Sequence, residues 1–132
     1  MRIEDRMEFK TKSPVLTFAA DDMVMDAVQM MSEKNYGASI VIDTARRPIG
    51  VVTERDLALR VCAENEEAKD ISISDVMTPH AITCRPTHSI GEVTRQMLLH
   101  HHSVLAVADD DERPLGVISL RDIFEATAGA AS

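Results

Sequence analysis

Gly50-Val51-Val52-Thr53-Glu54-Arg55-Asp56 returns 66 residues later as Gly116-Val117-Ile118-Ser119-Leu120-Arg121-Asp122. The match extends without a gap in both directions, so residues 15–58 and 81–124 are one 44-residue unit written twice. Thr17 falls on Thr83, Met31 on Met97, Val41 on Val107, Asp43 on Asp109, and Arg47-Pro48 on Arg113-Pro114. Two copies of one supersecondary unit carry two equivalent half-sites. A pseudo-twofold axis between them is expected, with function at the junction of the halves.

Each copy reads as strand, helix, strand, strand, helix. In the first, Val15 to Phe18 form a short strand, and Asp21-Asp22 offer N-cap oxygens to a helix with Val24, Ala27, Val28 and Met31 at helical spacing. Tyr36-Gly37 end that helix. The β-branched run in Ala38 to Ile42, a polar turn from Asp43 to Pro48, and Ile49 to Val52 make a hairpin. The second copy repeats this with Ala81-Ile82-Thr83, a helix over Ile90, Val93 and Met97 opened by the capping box Ser89 to Glu92, and strands Val104 to Ala108 and Leu115 to Ile118. The fold class is α+β. Met23, Met30 and Met31 read as core packing, in which methionine is adaptable.

The composition excludes several classes of function. The chain has 132 residues, 45% of them hydrophobic, enough for one packed module. Fourteen basic residues stand against 22 acidic ones, a net charge of -8. That sign opposes attraction to nucleic acid or anionic membrane. No apolar run reaches bilayer-spanning length, and Met1 to Arg6 lack the apolar stretch of a secretory signal, so a cytoplasmic protein is expected. Cys62 and Cys84 form no CxxC pair and read as buried or half-buried thiols.

Chemistry is expected where the third strand of each copy becomes its second helix. Thr53 stands at the N-cap with Asp56 three positions on, where backbone N–H groups are unpaired. One reading is a capping box with Asp in place of Glu. The other is a ligand site, in which free N–H groups and the Thr53 hydroxyl receive a phosphate while the carboxylate of Asp56 accepts from the 2′ and 3′ hydroxyls of a ribose. On the second reading Gly50 lets a ligand approach the backbone. Arg55 and Arg121 then either neutralise phosphate or lie solvated on the surface. Recurrence of Gly, Thr or Ser, Arg and Asp at one offset favours the ligand site, since a cap alone requires neither the Gly nor the Arg.

With both G-h-h-[ST]-x-x-D signatures in register, Asp75-Val76-Met77-Thr78-Pro79 before the second, and strands ending in Val41-Ile42-Asp43 and Val107-Ala108-Asp109, the chain resembles a tandem pair of cystathionine-β-synthase-type (CBS) domains, or Bateman module. The resemblance runs from Ser13 to Ala126 and implies an N-terminal segment 1–12, repeat 1 at 13–66, a linker 67–74, repeat 2 at 75–126 and a tail 127–132. It implies two β-α-β-β-α copies facing each other about a pseudo-dyad. It also implies clefts that take an adenosine-containing ligand such as AMP, ADP, ATP, S-adenosylmethionine or NAD. By matching positions, Asp56 and Asp122 would hold ribose, Thr53 and Ser119 would sit near phosphate or ribose, and Thr17 and Thr83 would approach base or sugar in the cleft completed by the other copy's signature. A homodimer and a separate effector protein are implied as well. Where family members commonly carry proline before the Val-x-Asp strand end, this chain has Ile40 and Ala106.

Three classes of function are weighed: a ligand-sensing regulatory module, a structural dimerisation module with empty clefts, and an enzyme. No Ser-His-Asp or Cys-His set has readable spacing, so catalysis is not expected. A metal site is not expected either. His100, His101 and His102 point about 100° apart on a helix end, and Asp109 to Glu112 lack the glycine and terminal Glu of an EF-hand.

Overall fold

The computed structural model describes residues 2–3, 16–34, 37–63, 70–79 and 83–131. The chain divides into two compact units, one of Leu16–Ala81 and one of Met1–Val15 with Ile82–Ser132. The expected roles of Val15, Tyr36, Ala81 and Ile82, and residues 67–69 of the expected linker 67–74, lie outside the described residues, as does the Cys62 side chain.

The first unit runs β1 (Thr17–Ala19), α1 (Val24–Lys34), β2 (Ala38–Ile42), β3 (Pro48–Thr53), α2 (Glu54–Ala58) with a π-helical turn over Leu59–Ala63, α3 (Ile73–Val76) and β4 (Thr78–Pro79). Its sheet has the order β1-β2-β3-β4, parallel between β1 and β2 and antiparallel thereafter. Phe18, Val41 and Val52 on one sheet face meet Val24, Ala27 and Met31 of α1, Leu57 of α2, and Ile71, Ile73 and Val76.

The second unit repeats the pattern with β5 (Thr83–Cys84), α4 (Ile90–His100), β6 (Val104–Ala108), β7 (Pro114–Ser119) and α5 (Leu120–Ala131), in sheet order β5-β6-β7. Cys84, Leu105, Val107 and Ile118 pack with Val93, Met97 and Ile123. This is the α+β repeat expected. In each hairpin the leading aspartate closes the turn: Asp43 Oδ1 accepts from Ala45 and Arg47 N–H at 2.9 Å, and Asp109 Oδ1 from Asp111 and Arg113 N–H at 2.9 Å. Arg46 and Glu112, equivalent positions, take left-handed backbone there with φ of 65° and 64°.

Some local expectations are corrected. Asp22 does not cap α1; its carboxylate turns back to accept from Ala19 N–H at 2.9 Å, and Val24 N–H donates instead to the Ile71 carbonyl. Ser89 does cap α4, accepting from Glu92 N–H at 3.1 Å, but the Glu92 carboxylate takes the Ser89 hydroxyl rather than completing the box on the backbone. Glu112, in the turn that Asp109 closes, pairs with Arg85, whose guanidinium also reaches the Ala108 carbonyl at 3.5 Å.

Ile3 belongs to the second unit. Its side chain is fully buried among Cys84, Val93 and Leu105, and its N–H donates to the His88 carbonyl at 3.0 Å. Burial of an isoleucine side chain stabilises by about 1.5–3 kcal/mol, so this docking holds Ile3 in place. Ile73 does the same for the first unit, fully buried and donating to the Asp22 carbonyl at 2.8 Å. Among the described residues no helix is long and apolar enough to cross a membrane.

Candidate functional site

Both signatures form closed capping boxes. Asp56 N–H donates to Thr53 Oγ1 at 3.1 Å while Thr53 N–H donates to Asp56 Oδ2 at 2.9 Å. Asp122 N–H donates to Ser119 Oγ at 3.0 Å while Ser119 N–H donates to Asp122 Oδ2 at 2.9 Å. Extended backbone at Thr53, with φ of -112° and ψ of 160°, ends β3 and turns the hydroxyl over the first turn of α2. The capping reading of the motif is therefore satisfied in both copies.

The chain also takes up a further donor in each. Glu54 N–H donates to the Gly37 carbonyl at 3.0 Å, and Leu120 N–H to the Ser103 carbonyl at 2.8 Å. The helix starts were expected to offer several free N–H groups. Among the described residues, this network leaves out those of Arg55 and Arg121. On the acceptor side, the hydrogen bonds of Asp56 and Asp122 among the described residues use Oδ2, which leaves Oδ1 of each carboxylate outside the capping box.

Strand register decides which side chains share a face. Thr17 pairs with Ile40 and Ile40 with Val51, while Ala38 pairs with Thr53. Because side chains alternate along a strand, Thr17 and Thr53 stand on the sheet face opposite Phe18, Val41 and Val52. The same register, Thr83 with Ala106 and Val104 with Ser119, puts Thr83 and Ser119 on one face opposite Cys84 and Val107. Each threonine of a first strand thus lies on the same face as the hydroxyl that opens its own copy's second helix.

The arginines differ between copies. Arg121 Nε lies 3.2 Å from Glu125 Oε1, one turn along α5. An exposed pair of this spacing is worth ~0.3–0.5 kcal/mol, too little to hold the guanidinium from a phosphate. Arg55 is exposed and makes no ion pair among the described residues.

Gly50 has a packing role. A Cβ there would stand 2.7 Å from Met77 Sδ and 2.9 Å from the Thr78 carbonyl oxygen, so at this position a protein segment occupies the approach expected for a ligand. Met77 was legible only as part of Asp75-Val76-Met77-Thr78-Pro79; its partner was not.

Cys84 is buried, and desolvation pushes its thiol up to about 12, so it is a packing residue. Among the described residues no three His, Cys, Asp or Glu side chains converge to hold a metal ion.

Comparison with known proteins agrees with this architecture. The CBS domain family pattern matches residues 7–62 and 73–129. A putative signal-transduction protein with CBS domains from Burkholderia ambifaria superposes with a TM-score of 0.81 at 28% identity, covering 98% of this chain and 95% of that one. The CBS domain pair of protein MJ0100, in complex with 5′-methylthioadenosine and S-adenosyl-L-methionine, shares the fold at a TM-score of 0.81 and 22% identity, with 98% of both chains covered. Arabinose 5-phosphate isomerase KdsD of Escherichia coli is 31% identical over 126 residues, which cover 96% of this chain and 37% of the isomerase. The chain spans less than two thirds of the length of such relatives, from 21% to 57% of the first few.

Proposed function

Because this chain belongs to the CBS domain family, which it matches twice, we propose that it is a regulatory module that senses an adenosine-containing ligand and passes the bound state to an effector protein. The observation that carries the reading is what the two capping boxes leave over. In each copy one carboxylate oxygen, of Asp56 or Asp122, and one backbone N–H, of Arg55 or Arg121, remain outside the network. A carboxylate suits the adjacent hydroxyls of a ribose, and a helix-start N–H beside an arginine suits a phosphate. Thr17 with Thr53, and Thr83 with Ser119, supply hydroxyls on the matching sheet faces for base or sugar.

AMP, ADP, ATP, S-adenosylmethionine and NAD are the candidate ligands, and the adenosine compounds bound to the CBS pair of MJ0100 support that class. The module acts in the cytoplasm and catalyses no reaction of its own. A ligand that binds two conformers unequally shifts their balance by its difference in affinity, which is how a module without catalysis transmits a signal.

Thermal unfolding against this panel tests the reading. A ligand at ~100 times its dissociation constant adds ~2.7 kcal/mol, a shift of several degrees. The 2′,3′-dideoxy form of the ligand that responds should give a much smaller shift; an equal one sinks the assignment of Asp56 and Asp122 to ribose.

A second reading, self-association as a homodimer, is favoured by three large apolar side chains on two helices of the second unit. Leu98 and Leu99 of α4 and Phe124 of α5 are 64%, 70% and 65% exposed. Sedimentation of the protein beside Leu99→Asp separates the cases: the variant should run as a smaller species, and two identical monomers would end this reading.

A further inference from the structure

The turns that precede the first helix of each unit are built alike except for one atom type. In the first unit Asp22 N–H donates to the Ala19 carbonyl at 3.1 Å and Ala19 N–H donates to Asp22 Oδ2 at 2.9 Å. In the second, His88 N–H donates to the Arg85 carbonyl at 3.0 Å and Arg85 N–H donates to His88 Nδ1 at 3.1 Å. The carbonyls of Asp22 and His88 receive Ile73 and Ile3, whose side chains fill the cores of their respective units. Met23 bridges to Ser72 as Ser89 bridges to Arg2.

We infer that the turn Arg85 to His88 is a proton-sensitive latch for Arg2 and Ile3, built into the second unit alone. To accept from Arg85 N–H, His88 Nδ1 must carry a lone pair, which leaves the imidazole neutral with its proton on Nε2. A second proton turns Nδ1 into a donor facing a donor at the same distance. An imidazole takes up a second proton in milder acid than a carboxylate needs to be neutralised. Mild acidification therefore removes the acceptor from one turn and spares its twin.

Charged groups around the latch do not replace the lost acceptor. The Arg85 guanidinium is engaged by Glu112 and lies 3.8 Å from Asp110. Glu92, in the first turn of α4, has an oxygen on the Ser89 hydroxyl at 3.1 Å. Arg2 contributes a further positive charge from the docked segment. The sign follows from linkage: the closed latch holds neutral His88, the open one admits the proton, so falling pH favours opening.

Residue-level amide hydrogen exchange of the full chain at about pH 7.5 and about pH 5.5, corrected for intrinsic rates, tests the latch. Protection at Arg85 and Ile3 should fall on acidification, by at most about tenfold per pH unit, the limit for uptake of one proton. Ala19 and Ile73 should keep theirs. His88→Asp, which installs the acceptor of the first unit, should abolish the loss. Unchanged protection at Arg85 and Ile3 in the parent chain, or the same loss in His88→Asp, overturns the inference. Should that variant fail to fold, NMR of the His88 ring nitrogens in the parent chain decides. Nδ1 without a proton at about pH 7.5 supports the latch, and a protonated Nδ1 overturns it.

Discussion

Met77 lies against Gly50, its sulfur 2.7 Å from where a β-carbon on that glycine would be, with the Thr78 carbonyl oxygen at 2.9 Å. Gly50→Ala should therefore destabilise by about 1–3 kcal/mol, the usual range for overpacking. Met77→Ala should rescue it only in part, because the methionine can yield and the backbone of β4, paired to Gly50 through Pro79, cannot. Denaturant midpoints of the two single variants and the double variant measure this; complete rescue would show that the Thr78 contact is harmless.

Ser39 is 1% exposed and its hydroxyl has no hydrogen-bond partner among the described residues. It pairs across the sheet with Val52, where the second copy sets Leu105 against Ile118. An unsatisfied buried group costs ~1–3 kcal/mol, so Ser39→Ala should raise the unfolding temperature by a few degrees. A fall would mean that the hydroxyl has a partner after all.

Asp56→Asn and Asp56→Ala should separate cap from ligand. The amide oxygen of Asn still accepts from Thr53 N–H, so the ligand-free protein should unfold near the parent temperature while nucleotide affinity drops. Ala should lose affinity and a further ~0.5–2 kcal/mol of stability. Asp122 should behave alike in its own copy. Parent affinity in Asp56→Asn would remove the charge of that carboxylate from binding.

Cys84 should resist alkylation. Burial pushes its thiol up to about 12, leaving almost no thiolate at pH ~8. Mass spectrometry after brief iodoacetamide treatment should find Cys84 unmodified in the folded protein and modified in urea. Rapid labelling of the folded protein would show that the second core opens readily.

The sequence disclosed whatever is local or repeated. Hairpins at Asp43 and Asp109, the Thr53 and Ser119 caps and the alternation that buries Val41 and Val107 all follow from contacts within a few residues. Recurrence at one offset then assigned the family. What it hid depends on partners distant along the chain. Asp22 has the right type to cap α1, yet its carboxylate closes the turn on Ala19, while Ile71 takes the first helical N–H. Gly50 looked like a ligand approach because its neighbour Met77 comes 27 residues later. Arg85 reaches Glu112 across the sheet edge. For the candidate site, residue identities and strand faces were legible, but the number of free donors was not, since Gly37 and Ser103 each consume one.

The placement of Ile3 bears on how the chain reaches its native state. The unit Leu16–Ala81 is contiguous and can assemble as soon as it has been synthesised. Its companion cannot, because Ile3 emerges from the ribosome before the other unit and its binding partners Leu105 and Ile118 emerge after the whole of it. The two repeats should thus acquire structure in a fixed order. Closure of the long loop between Ile3 and these partners comes last, and with it the slowest step that topology imposes.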